Sequence, residues 1–250
     1  MKEMITLEEL KQRAKSLRLH GIIAHWDEVH SQSWLAEMIT WEEEERRRRS
    51  LERRIQQAHI GRFKPLADFD WSWPKRCDQK QFQSWMSLDF IRDKANLILV
   101  GPNGVGKTSL AQNVIHHAVL NGHTALFTTA SEMLNDLSAQ DGDRALKRRV
   151  QQYVRPEVLA IDELGYLSYS NRHADLLFEV VSRRYEEQPI IVTTNRPFVE
   201  WKEIFPNASC VVSMVDRLVH HAEIMIIEGD SWRAKEARER HAKNKTEKPE

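Results

Sequence analysis

Apolar residues recur at three- and four-residue spacing through roughly the first sixty positions, a period that predicts helices. Leu7, Leu10, Ala14 and Leu17 make one stripe; Trp34, Leu35, Met38 and Ile39 make a second. Thr6 with Glu9 has the capping-box spacing that marks a helix start, and Thr40 with Glu43 repeats it before EEEERRRRSLERRIQQA. At 63–74 the pattern breaks into FKPLADFDWSWP, whose two prolines read as a linker. Beyond residue 90 the period changes. Short apolar runs at 96–100, 124–129, 158–162, 190–194 and 223–227 alternate with helix-like stretches at 109–121, 131–154, 173–187 and 213–221. Asn121-Gly122 and Asp141-Gly142 punctuate the series as turns. Strands alternating with helices predict a mostly parallel sheet covered on both faces. From Ser231 the chain is charged and is expected to fray into disorder. The expected organisation is a helical domain over 1–62, a linker over 63–90, an α/β core over 91–232 and a charged tail over 233–250.

Composition narrows the class. The 250 residues are 30% charged, with 37 Lys+Arg against 37 Asp+Glu, and the mean hydropathy is −0.59. No apolar run approaches the ~20 residues that a membrane span needs. MKEMITLEELKQRAKSL lacks the apolar core of a signal peptide, so export is not expected and a cytoplasmic location is. Cys77 and Cys210 are isolated, which excludes a disulfide framework or a zinc site built on cysteines and fits a reducing compartment. Six of the eight tryptophans precede residue 90, where packing of the helical module and linker explains them better than base stacking.

The strongest chemical signal is Gly101-Pro102-Asn103-Gly104-Val105-Gly106-Lys107-Thr108-Ser109, between the strand NLILV and a helix. This context is the one a phosphate-binding loop requires: the glycines turn backbone N–H groups inward at a helix N-terminus. Lys107 can reach the β- and γ-phosphates, and the Thr108 hydroxyl can ligate Mg²⁺. Fifty-five positions after Lys107, the run Val158-Leu-Ala-Ile ends in Asp162 and Glu163. Asp162 would hold Mg²⁺ through its water shell, and Glu163 would act as general base; the bland alternative is a solvated loop start. A further strand, PIIVTT, ends in Asn195, which can orient the attacking water or touch the γ-phosphate, although Thr-Asn before Arg-Pro is also an ordinary turn. The combination implies that the Asn195 strand inserts between the P-loop strand and the metal strand. Nucleoside monophosphate kinases and Ras-like GTPases lack it.

Together, GPNGVGKT, DELGYL, LLFEVVSRRYE, IIVTTN, EWKEIF and MVDRLVHHAEIMIIEGDSWR resemble the IstB-type ATPases. These are AAA+ helper proteins of insertion-sequence transposases, related to the DnaC helicase loaders. The resemblance covers most of the chain. It implies an α/β AAA+ P-loop core with a five-stranded parallel sheet, preceded by a small helical domain. It also implies an ATPase, with ATP and Mg²⁺ as cofactors, that assembles on duplex DNA, deforms it and delivers it to a partner transposase. Hydrolysis sites would be shared between neighbouring subunits of a homo-oligomer. Residues 101–108 would be Walker A, Asp162 and Glu163 Walker B, and Asn195 sensor I. Arg217 would be an arginine finger reaching a neighbour's nucleotide, unless it is a surface arginine paired on its own helix. Arg233 would be a sensor II arginine; only 17 residues follow it, too few for the helical lid of many AAA+ proteins. The rival expectations are a replicative helicase loader and a nucleotide-gated scaffold with little turnover.

The remaining signals concern DNA. Glu42–Glu45 stand four residues before Arg46, Arg47, Arg48 and Arg49, the orientation that makes a self-neutralised, solvated helix. From Arg46 to Lys64, however, eight basic residues, including Arg53 and Arg54, face one acidic residue, a local balance of +7. A phosphate can compete with a carboxylate for arginine, so this stretch is also a candidate DNA surface. Arg144, Lys147, Arg148 and Arg149 form a second basic cluster. No base-reading motif is present, so binding should be largely sequence-independent. The adjacent pairs His116–His117 and His220–His221 lack the spacing that puts two ligands on one helix face, and no metal beyond nucleotide-bound Mg²⁺ is expected.

Overall fold

The computed structural model describes residues 6–166, 169–205 and 209–246. Residues 1–5, Leu167 at the end of DELGYL and residues 247–250 of the expected tail lie outside the described residues. Two compact units divide at Arg53 and Arg54, short of the expected boundary at 62.

The first unit holds α1 (Leu7–Ser16), α2 (His20–Ala24), α3 (Trp26–Val29) and most of α4 (Trp34–Gln57). Thr6 and Glu9 cap α1 reciprocally, as their spacing predicts. Leu10, Ala14 and Leu17 bury against Trp26, Leu35 and Ile39. Thr40 does not start a helix. The stripe from Trp34 to Ile39 carries α4 straight through it, and its hydroxyl donates back to the Ala36 carbonyl at 2.9 Å. Glu43 takes the Arg13 guanidinium in a two-pronged pair at 2.9 and 2.7 Å, joining α1 to α4.

In the second unit, α5 (Gln79–Trp85) and α6 (Asp89–Arg92) precede β1 (Asn96–Val100), α7 (Lys107–Leu120), β2 (Ala125–Thr129), α8 (Ala130–Ser138), α9 (Asp143–Val154) and β3 (Val158–Leu164). Then come α10 (Asn171–Arg184), β4 (Ile190–Thr194), α11 (Trp201–Ile204), α12 (Val211–His220), β5 (Ala222–Ile226) and α13 (Trp232–Thr246). All five strands are parallel, in the order β2-β3-β4-β1-β5. β4 therefore lies between the P-loop strand and the metal strand, as the motif combination requires. The inner strands are continuous apolar runs because helices cover both faces, whereas edge strand β5 exposes Ile224 and Ile226.

Two expectations are corrected. The stretch 131–154 is two helices, because Gly142 at φ +88 breaks the backbone between them. The tail is not frayed from residue 233: α13 runs to Thr246, anchored where the Trp232 N–H donates to the Gly104 carbonyl at 2.9 Å. That tether supplies the ordering that the polar sequence lacks.

One buried cation organises the end of the sheet remote from the phosphate loop. Arg184 is 1% exposed and donates to the carbonyls of Tyr153, Val154, Pro156, Glu157 and Pro189, with no carboxylate partner among the described contacts. Burial pulls its pKa down to about 9, so the guanidinium is still charged at neutral pH. It satisfies the carbonyls that end α9 and lead into β3 and β4.

Candidate nucleotide-binding site

The loop between β1 and α7 turns on Gly104 and Gly106, at φ +80 and +101, where a side chain would be strained. At Gly106 space is closed as well, since an added Cβ would lie 2.6 Å from the Phe69 ring. α7 begins at Lys107, so its first N–H groups open toward the loop and provide an anion site.

Lys107 is 4% exposed and donates to the carbonyls of Gly101 (2.6 Å) and Pro102 (2.8 Å). Burial pushes its pKa down to about 8, against the opposing pull of Asp162 and Glu163. With phosphate present, the ammonium has a far better partner than two neutral carbonyls.

Asp162 is 3% exposed on β3. Its Oδ1 accepts from the hydroxyl of Thr108 at 3.2 Å and, more closely, from that of Thr193 on β4. Burial raises its carboxyl pKa, and the two hydroxyl hydrogen bonds act against that rise. The hydroxyl–carboxylate pair is an all-oxygen donor set, which suits Mg²⁺ bound with phosphate oxygens and water.

Glu163 sits at φ +60, a region costly for a non-glycine residue, where the strand register shifts between Ile161 and Leu164. Its N–H donates to the Thr193 hydroxyl at 3.0 Å. Thr193 thus holds both carboxylate residues, one through its side chain and one through its backbone. This role is absent from the sequence reading; its one available signal is a threonine at the buried end of the IIVTT strand. Asn195, just beyond β4, has a buried Oδ1 with no hydrogen-bond partner. An orphaned acceptor of this kind is a place where a water can be held.

A cleft of about 380 Å³ opens beside these groups. Its walls include the loop from Asn103 to Ser109, Glu163, Tyr166 and Arg233. Aromatic residues from both flanks complete it: Phe63, Phe69 and Trp73 from the expected linker, and Trp232 from α13. Trp73 and Trp232 meet edge to face at 5.6 Å, with Lys235 Nζ 4.3 Å from each ring centre. Trp73 therefore serves the cleft as well as packing, which the linker pattern did not reveal.

Arg217 is absent from the walls of this cleft. Its guanidinium donates to Ser182 and lies over Phe178 (4.9 Å) and Tyr185 (5.8 Å) of the adjoining α10 segment.

The basic residues separate into two settings. On α4, Arg46 pairs with Glu42 (2.6 Å) and Arg49 with Glu45 (2.5 Å), while Arg47 is 3.9 Å from Glu43. Arg48 takes Glu45 and Glu52 instead of Glu44. All four arginines stay exposed, as does Arg53. Arg54 and Arg149, 95 positions apart, line a second cleft of about 780 Å³ beside edge strand β2, with His59 and Arg155. Arg149 is paired there with Asp136 at 2.5 Å, and Arg148 is exposed nearby in sequence.

Among the described residues no helix is long and apolar enough to cross a membrane. The fold is similar to that of DnaI, at a TM-score of 0.55 and 19% identity over 69% of this chain and 91% of that one. It is also similar to AMPPCP-bound DnaA from Aquifex aeolicus, at 0.53 and 18% over 66% and 50%. At these identities the likeness establishes the fold alone, a five-stranded parallel sheet between helices. In sequence the chain is 34% identical to the insertion sequence IS5376 ATP-binding protein of Geobacillus stearothermophilus, over 89% of this chain and 90% of that one. It is equally 34% identical to the IS21 ATP-binding protein of Pseudomonas aeruginosa, over 94% and 89%. The model of the IstB-like ATP binding protein family matches residues 9–240. A phosphate loop backed by a hydroxyl-bound aspartate, on this sheet order and with this extent of similarity, makes the chain a member of the IstB-like ATP-binding family of insertion sequences.

Proposed function

We propose that this chain hydrolyses ATP while assembled as a homo-oligomer on duplex DNA, and that the assembly delivers target DNA to a partner transposase. The observation that carries hydrolysis is the shared use of Thr193 by Asp162 and Glu163, beside the unpartnered Asn195 Oδ1. Bound Mg²⁺, held by Thr108 and by Asp162, would neutralise charge on the β- and γ-phosphates. Lys107 leaves its two carbonyls for the phosphates, and Asn195 accepts a hydrogen bond from the attacking water. Glu163 removes the proton from that water as its oxygen bonds to the γ-phosphorus. The bond from that phosphorus to the β–γ bridging oxygen breaks, giving ADP and phosphate.

Arg217 supports a shared site, because it does not line its own cleft and its guanidinium has only a serine hydroxyl and two aromatic rings, with no carboxylate, among the contacts described for it. A neighbour's nucleotide is the partner for its charge, so turnover depends on assembly. Arg233 faces the phosphates in its own subunit. Arg46–Arg49, Arg53, Arg54, Arg148 and Arg149 provide phosphate contacts to DNA, individually weak and additive across subunits.

Glu163→Gln tests the reading. The variant should keep ATP-dependent assembly on DNA, followed by electron microscopy, while phosphate release falls by at least about a hundredfold. Unchanged turnover would remove Glu163 from the chemistry. A protein that stays monomeric with ATP and DNA would overturn the assembly reading. Capture of a replicative helicase in place of a transposase would assign the same machinery to helicase loading.

A further inference from the structure

His220 and His221 are adjacent, and adjacent side chains on a continuing helix diverge by about 100°. Here the helix stops between them. His220 ends α12, and His221 leaves it at φ −124 and ψ +67, so the two rings come together with centroids 4.0 Å apart. A carboxylate faces the pair from another element. Glu186 follows the end of α10, and its φ of +58 turns the chain sharply there. Its Oε1 is 3.6 Å from His221 Nε2 and 3.9 Å from His220 Nδ1. One donor atom from each of the three residues falls within 4.8 Å of the others, the one such group among the described residues.

We propose that Glu186, His220 and His221 form a binding site for a divalent transition metal of the zinc class. Two imidazoles and one carboxylate suit Zn²⁺ and its neighbours and are a poor set for Mg²⁺ or Ca²⁺, which take oxygen donors. Ligands 2.0–2.1 Å from a tetrahedral ion stand about 3.3 Å apart. The observed separations need only small rotations of side chains that are each about half exposed, at 50–55%. Water completes the fourth position from the open side. The Tyr185 hydroxyl, 2.7 Å from His220 Nδ1, is the group the metal displaces. Glu187 and Asp216 add negative charge close by, against the positive charges of Lys94 and Arg217.

None of the three ligands lines either cleft, so an ion here would brace the fold and leave catalysis to the nucleotide site. It would cross-link the ends of α10 and of α12, the helix that carries Arg217. The site shares no residue with the phosphate loop or with Asp162 and its two hydroxyl partners.

Cobalt(II) supplies the test, since it replaces zinc and absorbs visibly in a four-coordinate site. The full chain, free of affinity tags and stripped with chelator, is titrated with Co²⁺ while saturated with Mg²⁺ and ATP, so that the nucleotide site is already filled. One equivalent should bind with a visible absorption band, and Zn²⁺ should bleach it. Glu186→Gln and His221→Gln should each weaken binding at least about tenfold. The double variant His116→Gln/His117→Gln, which alters the other adjacent pair, should bind as the parent does. Zn²⁺ should also raise the melting temperature of the parent and leave that of His221→Gln unmoved, because ligand bound only to the folded chain stabilises it. Absence of stoichiometric cobalt overturns the proposal, as does equal binding by the parent and the Glu186 and His221 variants.

Discussion

Replacing Thr193 by valine keeps the shape of a side chain that is 1% exposed and removes one hydroxyl with two duties. It deprives Asp162 of a donor, a hydrogen bond to a charged group worth about 1.5–3 kcal/mol. It also leaves the Glu163 N–H, at a residue already at φ +60, without its acceptor, for about 1–3 kcal/mol. The added methyl returns roughly 1 kcal/mol of apolar burial. The net loss is therefore about 3 kcal/mol for Thr193→Val. Thr193→Ser keeps the hydroxyl and deletes one methyl, costing about 1 kcal/mol. The two variants should differ by about 2 kcal/mol, or about 1 M in urea midpoint at a slope near 2 kcal/mol/M. Equilibrium unfolding without nucleotide at neutral pH measures this. The penalty should shrink on acidification, because the hydroxyl favours the ionised form of Asp162 and a protonated carboxyl needs it less. ATP turnover should fall for valine and largely survive for serine. Equal midpoints for valine and serine, or a less stable serine variant, would refute the assignment of Thr193 as the shared support.

Other consequences are equally direct. Lys107, depressed to about 8 by burial, should regain its full charge on phosphate binding, so ATP binding takes up part of a proton between pH 8 and 9. Calorimetry in buffers of different ionisation enthalpy reads this uptake, and affinity should fall as pH rises through about 8. In the free protein the sign is opposite: the unfolded chain holds this proton more tightly, so stability rises from pH 8 toward the ordinary lysine value of 10.5. Arg184→Met should cost at least about 3 kcal/mol by stranding buried carbonyls, and lysine, with fewer donors, should recover only part. A loss below 1 kcal/mol would mean that water replaces the guanidinium. Changing Arg46–Arg49 to alanine should weaken DNA binding across all sequences and flatten its salt dependence; an unchanged slope would leave those arginines to their glutamates.

The phosphate loop and the Asp162-Glu163 pair are legible in sequence because their chemistry is local. Backbone N–H groups that surround a phosphate come from consecutive residues, and the glycines that allow the turn must stand within that run. Strand and helix periods likewise need only short windows, so β1 and β4 are where the spacing puts them. The parallel sheet follows from the same alternation, whereas the placement of β4 between β1 and β3 is implied by the combination of the phosphate loop, Asp162-Glu163 and Asn195. Local rules misread Thr40, since a capping-box spacing inside a helix that an apolar stripe has already started is overridden by continuing helix. They also misread the tail, where one tryptophan tethered to Gly104 outweighs a polar composition.

Contacts across the sheet and between ends of different helices required the tertiary structure. Thr193 meets Asp162 only because β3 and β4 are neighbours, 31 positions apart in sequence. Trp73 and Trp232 close one cleft from opposite flanks of the core, and Arg54 and Arg149 share another. Glu186 reaches the paired histidines only because two helices end side by side. Sequence determined the chemistry that a few consecutive backbone groups can perform. Packing decided which distant side chains complete it, because close approach of unlinked residues depends on how buried surfaces fit and not on their spacing along the chain.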